Sequence, residues 1–113
     1  MGIGMETTVE FLDAVKVRLD LPSDYAAAKV LGVTRSAVSN YRNGKSVFDE
    51  ATAVRVAEIL GINPLAVISA CKVEGATDAH MRDVWHGIWE KISEGFRTLV
   101  SPANARRSLL LRV

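Results

Sequence analysis

Residues 24–45 read DYAAAKVLGVTRSAVSNYRNGK, and this stretch decides the fold. Ala26, Ala27, Ala28, Lys29 and Leu31 are good helix formers. Gly32 ends their helix, because the left-handed conformation costs least where there is no side chain. Val33 turns inward, and Thr34 is an N-cap for a second helix. That second helix spans residues 35–42 and is stopped by Asn43-Gly44. Val38 and Tyr41, three apart, share its inward face. Arg35, Ser36, Ser39 and Asn40 are left outside at its N-terminal end, a polar face for which a small core has no use.

This layout resembles the helix-turn-helix of the phage-repressor and Cro family (XRE-type) of DNA-binding proteins. The resemblance is carried by Ala28, Leu31-Gly32-Val33, Val38 and Tyr41-Arg42-Asn43-Gly44-Lys45, spaced without an insertion, and extends more weakly from Val9 to Cys71. Two positions depart from the family. Ala27 replaces a larger aliphatic residue, which leaves a thinner core or one filled by Tyr25. Asp24 replaces a glutamine that contacts phosphate, and a carboxylate there repels the DNA backbone. Ser23 or backbone N–H groups then become the phosphate contacts at this helix start.

Outside the motif the helical signals continue. A first helix is expected over 8–19, capped by Thr7 or Thr8, with Phe11, Leu12, Val15 and Leu19 as its apolar stripe. Leu21-Pro22 breaks the chain, and Ser23 caps the next helix. Asp49 caps a fourth helix that buries Ala53, Val56, Ala57 and Leu60 and ends at Gly61. Asn63-Pro64 starts a fifth, with Leu65 and Ile68 closing the core. No sustained strand-type alternation occurs. The fold class expected is therefore all-α: a five-helix, lambda-repressor-like DNA-binding domain over 1–74, then a longer amphipathic helix in a C-terminal arm, 75–113.

That last helix is capped by Thr77 and runs to about residue 100. Met81, Trp85, Ile88, Trp89, Ile92, Phe96 and Leu99 fall within a sector of about 100°. Burying them is worth on the order of 10 kcal/mol before entropy costs. The five-helix domain already has its apolar complement, so the stripe is read as seeking a separate partner. It packs on its own domain, on the same helix of a second chain, or on a membrane or another protein; patch size favours self-association. The tail carries Arg106, Arg107 and Arg112 around Leu109-Leu110-Leu111: a frayed terminus, a DNA-backbone arm or a lock on a partner subunit.

Charge supports the motif. The chain's net charge is only +1. Residues 34–47 nevertheless hold Arg35, Arg42 and Lys45 and no acid, and residues 76–113 hold six bases against four acids. The other segments are net acidic. Basic charge focused on one face suits a surface that meets DNA on one side.

Arginine in the first turn of the recognition helix can hold guanine O6 and N7 with two hydrogen bonds, and asparagine can do the same for adenine N6 and N7. Arg35 and Asn40 are the leading base readers on that ground, with Ser36 and Ser39 as short hydroxyls and Ala37 as a methyl contact to thymine. The resemblance places base reading on Arg35, Ser36 and Asn40 and phosphate contact on Asn43 and Lys45. Ser23, Arg42 and the hydroxyl of Tyr41, itself mainly a core residue, complete the phosphate candidates. No cofactor is implied.

Other chemistry is thinly represented. His80 and His86, six apart, lie on different helix faces and lack a second ligand pair. The single cysteine, Cys71, forms no internal disulfide and reads as a small buried apolar residue in a reducing, cytoplasmic setting. No carboxylate pair, phosphate loop or Ser/His/Asp arrangement stands out, so an enzyme has little support. No 18-residue apolar run is present, and residues 1–5 do not read as a signal peptide. The function expected is a phage-type repressor that binds a two-fold symmetric operator in duplex DNA as a homodimer and occludes a promoter. The alternatives are an antitoxin-like regulator whose residues 77–113 bind a protein partner, and a peripheral membrane or adaptor protein.

Overall fold

Helix starts and stops in this chain are written in side chains, and almost every one is used. A computed structural model of the protein describes residues 6–99, with side chains through Ile92. Six helices succeed one another: α1 (Thr8–Arg18), α2 (Asp24–Leu31), α3 (Arg35–Arg42), α4 (Glu50–Leu60), α5 (Pro64–Gly75) and α6 (Ala79–Leu99). No strand occurs among the described residues. The all-α architecture expected from the sequence is the one observed.

Thr7, Ser23, Thr34, Asp49 and Asn63 each accept a backbone N–H from the first turn of the helix they precede. At α1 the arrangement is reciprocal, because Glu10 Oε1 accepts the Thr7 N–H at 2.8 Å and completes a capping box. The cap of α6 is Asp78 rather than the expected Thr77. Asp78 Oδ1 accepts the His80 N–H at 2.9 Å, and its carbonyl accepts from Arg82.

Four helices end in one way: an N–H two or three residues past the end reaches back to a carbonyl five residues earlier. The bonds are Leu21 to Lys16, Val33 to Ala28, Lys45 to Asn40 and Ile62 to Ala57, at 2.8–3.0 Å. The residue in the bend has positive φ each time. It is glycine at 32, 44 and 61 but an aspartate at 20, with φ 54°.

The core lies between α1, α2, α3, α4 and α5. Phe11, Leu12, Val15, Ala27, Ala28, Leu31, Val38, Tyr41, Phe48, Ala53, Val56, Ala57, Val67, Ala70 and Cys71 form it. Phe48, from the loop after α3, meets Tyr41 edge-on with ring centroids 4.9 Å apart. With Phe11, this pair supplies the aromatic bulk of a core in which Ala27 is small, and Tyr25 does not enter. Leu19, placed in the stripe of α1 by periodicity, is exposed, because the helix has ended before it. Leu60 is only half-buried at the rim.

At α5 the inward residues are Val67, Ala70 and Cys71, while Leu65 is 41% exposed and Ile68 half-buried. Ile68 packs against the core as expected and only Leu65 does not, because α5 is apolar on more than one side, as a helix covered from two directions must be. Its second cover is α6, which folds back across residues 76–78 to pack along α5. Trp89 packs against the main core. The α6 stripe is thus partly covered by its own chain, one of the placements the sequence left open.

Polar groups tie the ends together. Thr8 is fully buried, and both its N–H and its hydroxyl donate to Glu74 Oε1, at 2.8 and 2.9 Å. That joins the start of α1 to the end of α5. Lys72 pairs with Glu50 at 2.8 Å across α5 and α4. Burial pushes the Cys71 thiol up to about 11, so it is an inert neutral thiol at neutral pH.

Candidate nucleic-acid interface

Helices α2 and α3 are joined by a turn of three residues, 32–34. Gly32 sits at φ 72°, ψ 30°, and Val33 N–H donates to Ala28 O at 3.0 Å. This bend swings α3 away from α2 and lets Val33 pack against the core. Thr34 Oγ1 then accepts the Ala37 N–H at 3.0 Å and starts α3.

Only Val38 and Tyr41 of α3 are buried. Arg35, Ser36, Ser39, Asn40 and Asn43 are exposed and share an arc of roughly 140° on the opposite side. The structure therefore brings the base-reading candidates together on one open face. Asn43 also belongs to it, with its amide 3.5 Å from Ser39 Oγ. The first turn of α3 holds no acid and carries Arg35. A cation at the positive end of a helix dipole is unfavourable for the helix itself. It is well placed for an anionic ligand approaching that end.

Ser23 Oγ is engaged as the cap of α2, accepting from Ala26 N–H at 3.1 Å, and retains its own proton to donate. Lys45 is exposed just past α3, with its N–H bonded to Asn40 O. Two other phosphate candidates sit differently. Tyr41 is 6% exposed and packed on Phe48, and burial raises its phenol above its usual range; it is a core residue. Arg42 is held by carboxylates: its Nε and Nη2 donate to both oxygens of Asp24 at 3.0 and 2.9 Å, and Nη1 lies 2.8 Å from Asp13. Tyr41 is thus mainly a core residue, as expected, and the Arg42 guanidinium is engaged within the protein.

Lys16 completes the cluster, 3.0 Å from Asp24 Oδ1. The two cations and two anions leave it neutral. The Arg42 hydrogen bonds, reinforced by Lys16, hold the Asp24 carboxyl down at about 2 against the opposing effect of burial. Asp24 thus carries no unpaired negative charge towards DNA.

Two exposed residues complete the basic face. The Tyr25 ring stands beside α3 with Lys29 Nζ 4.9 Å and the Arg35 guanidinium 5.1 Å from its centroid. Lys29, Arg35 and Lys45 take part in no ion pair among the described residues. Tyr25 and Lys29, spaced i,i+4 on a helix of good formers, carried a readable signal for this pairing. Among the described residues no group of three or more His, Cys, Asp or Glu is placed to hold a metal ion. No helix among them is long and apolar enough to cross a membrane.

Geometry of this kind, a short two-helix unit with one helix presenting amide, hydroxyl and guanidinium groups outward, defines a class of DNA-binding regulator. A helix-turn-helix family model matches residues 23–67, from the cap of α2 into α5. An uncharacterised protein, Gp-c, of Pseudoalteromonas phage PM2 is 30% identical over 84 residues, which cover 70% of this chain and 90% of that protein. No solved structure gives a significant match. The chain belongs to the helix-turn-helix family of DNA-binding regulators.

Proposed function

We propose that the protein is a sequence-specific transcriptional repressor of phage type, binding duplex DNA as a homodimer and acting by promoter occlusion. The observation that carries this reading is the outward face of α3. It has no carboxylate, a cation at the helix's positive end, and side chains that can each pair with a base edge. Arg35, Ser36, Ser39 and Asn40 read bases. Ser23, Asn43 and Lys45 hold phosphates at the two ends of the unit.

One such unit buries little DNA. Two units joined by a two-fold axis combine their contributions and require half-sites about 34 Å apart, or a multiple of that. The α6 edge that its own domain leaves open supports pairing there: Met81 is 44% and Val84 39% exposed, beside half-buried Trp85 and Ile88. Phe96 and Leu99, the remainder of the stripe, have side chains outside the described residues, as does the basic tail after Pro102. The match to a phage protein favours a phage or prophage setting.

Selection of bound duplexes from a randomised pool tests the reading. A palindromic consensus is expected. Uniform, salt-sensitive retention of all duplexes would reduce the protein to a non-specific binder.

A further inference from the structure

Tyr25 has a place that neither the core nor the capping of α2 explains. It lies in the first turn of α2, and the residue is 50% exposed. Two cations stand over its ring: Lys29, one turn further along α2, and Arg35, from the start of α3. The acid next to it in sequence, Asp24, is not available to Arg35, since both of its oxygens are taken by Arg42 and Lys16.

What meets the Arg35 guanidinium is therefore an uncharged ring face. The two kinds of neighbour act differently. A carboxylate would occupy N–H donors of the guanidinium and cancel its charge. A ring attracts the cation through its quadrupole and restricts its motion, yet leaves the donors along the edge of the guanidinium plane for another partner. An arginine restrained before binding also loses less freedom when it meets a base.

Resting on the reading of α3 as the base-reading helix, we infer that Tyr25 is a positioning residue for base recognition. Its ring holds the Arg35 guanidinium at the groove-facing edge of α3 with its donors free. It thereby sets how sharply the protein distinguishes the one base pair that Arg35 meets. The phenol hydroxyl has no part in this; the π face does.

The test uses a duplex selected from a randomised pool by the wild-type chain, together with its single-base-pair variants and a scrambled duplex. Binding is measured for the wild type, Tyr25→Leu, Tyr25→Phe, Arg35→Ala and the double variant Tyr25→Leu/Arg35→Ala, with thermal unfolding as a folding control. Tyr25→Leu is expected to lose about three- to fivefold discrimination at the base pair where Arg35→Ala also loses it, and at no other. Affinity for the scrambled duplex and the unfolding temperature stay near wild type. Tyr25→Phe restores the wild-type profile, and adding Tyr25→Leu to Arg35→Ala changes nothing further. A Tyr25→Leu profile equal to wild type, or weakened alike on every duplex, overturns the inference while leaving α3 as the reading helix. A wild-type chain that selects no consensus overturns that parent reading, and the inference with it.

Discussion

Arg42 grips Asp24 with two parallel hydrogen bonds, 3.0 Å from Nε and 2.9 Å from Nη2, and this fork joins the last residue of α3 to the first of α2. Bidentate geometry fixes direction as well as distance. The pair lies at the edge of the outward face of α3, since Arg42 is two turns along from Arg35, and it helps set the angle at which α3 is presented. With Asp13 and Lys16 it ties α1 to the same unit. An acid at the position where the family resemblance implies a phosphate-binding glutamine is thus internally neutralised.

Asp24→Asn should separate stability from DNA affinity. Loss of the charged fork on a partly exposed pair costs about 1 kcal/mol in chemical denaturation. Affinity for all duplexes should nevertheless rise, since a negative charge is removed and Arg42 is partly freed. The slope of log K against log salt should steepen by about one. A variant that is weaker on DNA would show that the fork's geometry, rather than its neutrality, matters to binding.

The same carboxylate makes a pH prediction. Asp24's folded value, about 2, lies below its ordinary 3.8, so the folded state resists taking up the proton. The stabilisation is complete above about pH 5 and is lost as pH falls towards 2. Solvent screening of this half-exposed group keeps the effect modest, and added salt reduces it further. The stability gap between wild type and Asp24→Asn should narrow as pH falls from about 5 to 2. A gap constant over that range would deny the ion pair its role.

On the reading face the two kinds of contact should respond differently. Arg35→Ala and Asn40→Ala should each cost about 1–3 kcal/mol on the selected operator and relax preference at one base pair. Lys45→Ala should weaken binding to every duplex and flatten the salt slope by about one. Retained sequence preference in the first two variants would show that another surface reads the bases.

Much of this was legible because helix ends are local. The caps at Ser23, Thr34, Asp49 and Asn63 and the stop at Gly32 arise from side-chain chemistry within a turn of each site. What escaped depends on chain meeting chain. Phe48 lies in a loop with no periodicity to betray it, yet it completes the core against Tyr41. Arg42 reads as a free basic residue until α1 and α2 bring Asp13 and Asp24 to it. Leu65 reads as a core residue because a helix covered by both the core and α6 has no single apolar face.

Asp20 offers a stabilising substitution. It occupies the left-handed bend after α1 at φ 54°, the role that glycine takes after α2, α3 and α4. Its side chain adds a steric cost there, and its carboxylate lies at the negative end of the α1 dipole. Asp20→Gly removes both, against the greater freedom glycine gives the unfolded chain. A net gain of about 0.5 kcal/mol is expected in thermal or denaturant unfolding, with DNA binding unchanged. A loss of stability would show that the Asp20 side chain makes a compensating contact.

The open edge of α6 predicts how the proposed dimer can be broken without breaking the fold. Met81 and Val84 are exposed, whereas Trp89 packs on the core. Met81→Glu with Val84→Glu should therefore yield a folded monomer in sedimentation, with unfolding near wild type and operator affinity sharply reduced through loss of the second half-site. Trp89→Ala should instead cost about 2 kcal/mol of monomer stability, because it empties an intramolecular contact. If the double glutamate variant sediments as the wild type does, the subunits meet elsewhere. If the wild type is itself monomeric at micromolar concentration, pairing must be sought on the operator.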